Sequence, residues 1–147
     1  TYSVHEKGIF PGTGNRSSPE KNVYNFPLVA EVANTDPGKG DGALIKAVCE
    51  FSDLVRNFKP DLIFIACGAD GHREDPLSSL EYSVDGFKQT GIFIRQRFPD
   101  MPILIGGAGG YLPDTRTPEA WSTFAHAVAT TPILDGEFPN DQEIEHL

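Results

Sequence analysis

The side chains of this sequence that could do chemistry lie on two short stretches, Cys67-Gly68-Ala69-Asp70-Gly71-His72 and Gly106-Gly107-Ala108-Gly109-Gly110-Tyr111. The first ends an apolar run in a carboxylate. The second ends another in a glycine-rich loop carrying a phenol. A carboxylate beside a loop too small to obstruct anything suits a metal or a polar substrate roofed by backbone. Asp70-Gly71-His72 also has the spacing at which an extended Asp-x-His pair can hold zinc. It lies past the apolar run, where the chain turns, so His72 is read as a loop residue. Each feature has a plainer reading as well. An Asp after a strand caps a turn, and Tyr111 can be a packed aromatic. A glycine run makes a turn or cradles an anion, although this one lacks the G-x-G-x-x-G and G-x-x-x-x-G-K-[ST] spacings of nucleotide sites. His5, His126 and His146 are scattered along the chain and suggest no cluster.

The elements that must position these groups follow from patterning. Pro60 to Asp70 holds six consecutive apolar residues, Leu62 to Cys67, bounded by Pro and Gly, which reads as a strand covered on both faces in a parallel sheet. Pro102-Ile103-Leu104-Ile105 reads as a second buried strand. Before the first strand, Leu44, Ala47, Val48, Phe51, Leu54, Val55 and Phe58 recur at helical spacing, with Asp41 as the expected N-cap and Lys59-Pro60 as the stop. Between the strands, Ser83 caps a helix with Val84, Phe87, Gly91, Ile94 and Phe98 on one face, ended by Pro99. A last helix opens with Pro118 in its first turn and turns Trp121, Phe124, Ala125 and Val128 inward. Tyr2-Ser3-Val4-His5 and Asn22 to Leu28 read as short strands, and Gly8 to Asn15 and Ala33 to Gly42 as loops. The βαβ order predicts two parallel strands joined by a right-handed crossover. Both strands then finish on one edge, which brings Asp70 beside the Tyr111 loop, at the sheet end where α/β proteins collect their chemistry.

Composition narrows the function classes. With 147 residues and 39% apolar content the chain suits one domain with a packed core. A net charge of −9 argues against nucleic acid as a direct partner, which calls for a basic stripe, and suits a cationic substrate instead. Cys49 and Cys67 read as small buried hydrophobes, which fits an intracellular setting, cytoplasm or nucleus. No apolar run reaches membrane-spanning length. Met101 is the only Met, so the expectation is a processed chain or a piece of something longer. From Asp135 onward there are five acidic residues and no Lys or Arg, read as a solvated tail. Oligomeric state stays open, a homo-oligomer included.

Taken together, Gly68-Ala69-Asp70-Gly71-His72-Arg73-Glu74-Asp75-Pro76-Leu77 and Ile103 to Tyr111 resemble the closing half of the zinc-dependent histone deacetylase family, which includes acetylpolyamine amidohydrolases of arginase-like fold. Phe10-Pro11-Gly12-Thr13-Gly14 resembles that family's F-P-G-T-G loop, and Ser3-Val4-His5 its S-L-H segment. The likeness runs in order from about Tyr2 to about Val128. It implies a three-layer, mostly parallel α/β fold of arginase and deacetylase type, here an incomplete portion, with residues 1–134 as the carboxyl-terminal half of a catalytic domain and 135–147 as the tail. It also implies removal of acetyl or other acyl groups from lysine side chains, on chromatin or other proteins, with acetylated polyamines as the alternative substrate.

Residue by residue, the resemblance matches Asp70 to an aspartate ligand of the catalytic zinc. Tyr111 matches the tyrosine that hydrogen-bonds the scissile carbonyl, Phe10 an aromatic wall of the acyl-lysine tunnel, and Leu77 a rim residue. Gly109 and Gly110 leave space for substrate. Ser3 and the carbonyl of Val4 fall where the family holds potassium. The family's Asp-x-His zinc ligands and its tandem histidines have no counterpart here, and the strand bearing that Asp-x-His belongs between the one ending at His5 and the central one. The resemblance therefore implies a gap in the sheet. Ala69, where many relatives have Phe, and Ala108 within the glycine run depart from the pattern and leave acyl preference open. The rival reading is a non-catalytic deacetylase-like module for binding or assembly. A third, zinc hydrolysis through Asp70 and His72 alone, is the weakest.

Overall fold

Apolar residues at helical spacing before Lys59-Pro60 build the longest element. In the computed structural model, which describes residues 1–29 and 39–133, it is α1, Lys39–Phe58. The helix starts before Asp41, so that residue is not the N-cap. Its carboxylate instead accepts the Ser83 backbone N–H at 2.7 Å and the Ser83 hydroxyl at 2.5 Å. A partner across the fold has claimed the oxygen that a cap would use.

Ser83 does cap the next helix, α2, Val84–Arg97, by accepting the Gly86 N–H at 3.0 Å. The last helix is α3, Arg116–Thr130, which places Pro118 in its first turn. Trp121 is half-buried, and Phe124 and Val128 are buried as expected. The innermost small residues are Ala120 and Ala127, with Ala125 only partly covered. The expected acidic tail and most of the expected loop from Ala33 to Gly42 lie outside the described residues.

The strands are β1 (Tyr2–Glu6), β2 (Tyr24–Leu28), β3 (Ile63–Cys67) and β4 (Ile103–Gly107). β3 and β4 are parallel, with Ile63 opposite Ile103 and Cys67 opposite Gly107, which is the βαβ unit the patterning calls for. β1 and β2 form a second parallel pair, Val4 opposite Phe26, and a short 3-10 turn at Pro19–Lys21 lies on the connection between them. The two pairs share no ladder, so the sheet is broken between them. This agrees with the gap that the resemblance implies.

One expectation fails. β3 is covered on one face only. Its odd-numbered residues Ile63, Ile65 and Cys67 join Ile103 and Ile105 in a core with Phe51, Phe87, Ile94, Phe124 and Val128 from the three helices. On the other face Phe64 is 64% exposed and Leu104 56% exposed. A continuous apolar run marks a strand suited to burial on both sides, but among the described residues only one side has helices against it.

Helices α2 and α3 meet where α2 has no side chain. A Cβ at Gly91 would lie 2.8 Å from the carbonyl oxygen of Phe124 and 2.9 Å from the Ala127 Cβ. Neither neighbour is a flexible side-chain end, so any larger residue must push the helices apart. Gly91→Val is expected to lower unfolding free energy by about 1–3 kcal/mol, the usual cost of overpacking, read from the urea midpoint. An unchanged midpoint would show that the two helices separate freely.

Candidate functional site

The β3–β4 ladder continues past the ends of both strands. Ala108 N–H donates to the Cys67 carbonyl at 3.0 Å, and Ala69 N–H donates to the Gly109 carbonyl at 2.6 Å. Two further backbone bonds thus fix the glycine loop against the segment leading to Asp70. The Asp70 carboxylate sits between backbone surfaces. A Cβ at Gly68 would lie 2.6 Å from its Oδ1, and one at Gly109 would collide with its Oδ2. Glycine at both positions is what gives the carboxylate room. Burial raises the Asp70 carboxyl above its ordinary value of 3.8; its own backbone N–H pulls the other way, and the charge of Asp75 adds to the rise. A half-buried carboxylate beside a second one is short of compensating positive charge.

Asp70, Gly68 and Gly109 line a cavity of about 590 Å³ that also reaches Ser3, Val4 and Tyr82. This cavity lies in the break between the two strand pairs. The buried Tyr82 hydroxyl has no hydrogen-bond partner among the described residues, and its pKa is driven up by burial first and by the charge of Asp70 next. Cys67, below Asp70, is buried and its thiol is pushed up to about 11 by burial and by Asp70. With no metal bound it is therefore a protonated thiol at neutral pH.

Of the other expected site residues, Tyr111, Gly110 and Leu77 are tied to the same edge. Tyr111 is about half exposed, and its backbone N–H donates to Asp75 Oδ2 at 2.8 Å. Gly110 adopts φ +153° and packs against Thr117 and Ala69. Thr117, which carries no sequence signal, accepts the Leu112 N–H on its hydroxyl at 3.1 Å and braces the exit from the loop. Leu77 is exposed, while Phe10 stands in solvent at 96% exposure and does not reach the cavity. The Ser3 hydroxyl lies 3.0 Å from His5 Nδ1.

His72 is buried and holds its own turn. Its Nδ1 accepts the Glu74 N–H at 3.2 Å, and its backbone bridges to Tyr82. Burial lowers its pKa from 6.5, Glu74 opposes that, and Arg116 and Arg73 assist it. A neutral acceptor in a turn is the loop role the sequence suggests for it.

Comparison with known proteins adds the family. The model of the histone deacetylase domain matches residues 1–128. The chain belongs to the histone deacetylase family. It is 28% identical over 150 residues to the acetoin utilization protein AcuC of Staphylococcus aureus, covering 95% of this chain and 37% of that protein. It is 33% identical over 116 residues to histone deacetylase HOS1 of Saccharomyces cerevisiae, covering 76% of this chain and 23% of that protein. Among solved structures, acetylpolyamine aminohydrolase from Burkholderia pseudomallei superposes with a TM-score of 0.69 at 23% identity, over 88% of this chain and 37% of that one. The histone deacetylase Clr3 superposes at 0.67 and 22%, over 99% of this chain and 26% of that one. The architecture is thus part of an arginase and deacetylase type α/β fold. The chain spans little more than a third of the length of these deacetylase-family relatives at most.

Asp70 suits a metal in kind: a carboxylate oxygen in a desolvated glycine cradle, short of positive charge. The donor set is not complete. Among the described residues no three His, Cys, Asp or Glu side chains converge on a point where a metal could sit, and a catalytic zinc takes three protein ligands. The described residues by themselves therefore do not make a zinc site.

The raised Asp70 pKa fixes the sign of a stability effect. A carboxyl whose folded pKa lies above its unfolded one contributes stability that is present below 3.8 and lost as pH rises through the folded value. Metal-free Asp70→Asn is expected to melt higher than the parent at pH 7, with the difference closing as pH falls below 3.8. Calorimetry in chelator at both pH values reads this, and a variant melting lower at pH 7 would reverse the sign.

Proposed function

We propose that this chain is part of a zinc-dependent amide hydrolase that removes acetyl or other acyl groups from lysine side chains. The observation that carries the reading is that the Asp70 carboxylate and the glycine loop of Tyr111 meet on one edge of a histone deacetylase domain. Asp70 is assigned as one zinc ligand, and the remaining donors come from outside the described residues. When bound, zinc supplies the Lewis acidity that amide cleavage at neutral pH requires. The Tyr111 hydroxyl donates a hydrogen bond to the acyl oxygen as negative charge builds there, a role worth about 3–4 kcal/mol in comparable sites. Gly109 and Gly110 leave the approach to that oxygen clear. Phe10 and Leu77 belong to the wall and rim that grip the alkyl stem of the substrate. Leu77 is exposed beside the Asp75 turn, and Phe10, which stands away from the cavity, takes its assignment from the family resemblance alone.

Ser3 and the Val4 carbonyl are assigned to a potassium ion that supports the fold. The preferred substrate is an acetylated lysine on a protein, and acetylated polyamines are the alternative, named by the acetylpolyamine aminohydrolase that this chain resembles in fold. Both release a cation, which the net charge of −9 favours. Direct binding of nucleic acid is not part of the reading, for the same reason. An intracellular setting belongs to the reading, on the composition argument given for the cysteines.

In the intact protein that contains this chain, Tyr111→Phe is expected to cut turnover of an acetyl-lysine peptide about 10²–10³-fold with zinc content unchanged. Equal turnover of variant and parent would remove the tyrosine from the mechanism. The 147-residue chain by itself is expected to hold well under one equivalent of zinc by metal analysis. One tightly held zinc per chain would contradict the shared donor set. An intact protein that releases acetate from neither substrate would favour the non-catalytic module.

A further inference from the structure

The contacts of Asp75 join two parts of the site. The side chain is only 6% exposed. Its Oδ1 accepts the Leu77 N–H at 2.9 Å, and its Oδ2 accepts the Tyr111 N–H at 2.8 Å across 36 residues of sequence. Its own N–H donates to the His72 carbonyl at 2.8 Å, so the carboxylate projects from a turn that is itself held. One side chain therefore ties together the backbones of the two residues assigned to the tunnel rim and to the acyl oxygen.

We infer that Asp75 is a positioning residue for the hydrolysis, setting the Tyr111 loop at a fixed distance from the Leu77 rim through the two oxygens of its carboxylate. This rests on the role proposed for Tyr111. The remaining restraints on that loop act around it: the Ala69–Gly109 backbone bond precedes Tyr111, and the Leu112–Thr117 bond follows it. Among the described residues the Asp75 carboxylate is the acceptor that holds the Tyr111 N–H itself. A carboxylate is needed for this geometry because both partners are donors. Asparagine offers one acceptor oxygen and turns an N–H toward the other donor. Glutamate keeps both acceptors on a longer arm.

The test is a double-mutant cycle in the intact, zinc-loaded protein, with an acetyl-lysine peptide as substrate. Asp75→Asn is expected to lower kcat about 10–100-fold with KM changed less than about threefold, because a reacting group displaced by a fraction of an ångström loses rate before it loses binding. Asp75→Glu is expected to recover a large part of that loss. In the Tyr111→Phe background, Asp75→Asn is expected to cost less than about twofold, since the hydroxyl it positions is gone. A full loss in that background overturns the inference and leaves the Tyr111 role standing. A normal rate for Tyr111→Phe alone overturns the Tyr111 role instead. Hydrogen–deuterium exchange supplies a readout independent of activity: Asp75→Asn is expected to speed exchange in peptides spanning 77 and 111 while α2 keeps its protection. Unchanged exchange at 77 and 111, or loss of protection throughout, overturns the positioning role.

Discussion

The parallel register of β3 and β4 is the constraint from which the rest of the site follows. With Cys67 opposite Gly107, the next residues on each strand have no freedom to drift, and two further backbone bonds carry the ladder to Ala69 and Gly109. A slip of one residue would invert every side chain, moving Ile63, Ile65 and Cys67 out of the core and Phe64 into it. The hydrophobic pattern of five strand residues thus decides where the Asp70 oxygens lie relative to Gly109, two residues past the end of β4. The chemistry proposed for the site inherits its geometry from packing on the other side of the sheet.

Charge and burial work against each other at that edge. Asp70 and Asp75 are neighbouring carboxylates in a partly dry environment, and they are stabilised in different ways. Asp75 spends both oxygens on backbone donors. Asp70 has no such pair and is left with a raised pKa. A carboxylate with both oxygens filled by fixed donors reads as structure, whereas half-buried Asp70, bonded by its own backbone N–H, fits the metal-ligand role proposed for it. Beyond them Arg116 reaches Glu74 at 2.9 Å and Glu119 at 2.7 Å, an exposed pairing that adds little stability and links the start of α3 to the 70s loop.

What was legible in the sequence was local. Ser83 with Gly86, the stop at Lys59-Pro60, and the apolar runs at 62–67 and 103–105 each carry their signal within a few residues, and the elements formed there. Asp41 looked like a cap because its neighbours allowed one. Its real partner, Ser83, is 42 residues away, beyond the reach of any local rule. The tie from Asp75 to Tyr111 was hidden for the same reason, and so was Thr117. The expectation that β3 is covered on both faces failed differently: composition reports what a surface is suited to touch, not whether its neighbour is among the residues described. Asp70 and Tyr111 stood out because strand ends concentrate chemistry, while the groups that would complete a metal site are not among those residues.

The break between the two strand pairs has a consequence for how the molecule opens. β1 and β2 are joined to the remainder through side chains: the Tyr2 hydroxyl on the Ala47 carbonyl at 2.7 Å, the Tyr2 ring 5.5 Å from that of Phe51, and Glu6 accepting the Ser79 N–H at 2.7 Å. In the 147-residue chain by itself, with no hydrogen-bonded ladder across the gap among the described residues, this amino-terminal pair can detach as its own cooperative unit at lower free energy than the β3–β4 and helix core. Its departure would release Glu6 from the 70s loop, so fraying at one end of the chain would be felt next to Asp75.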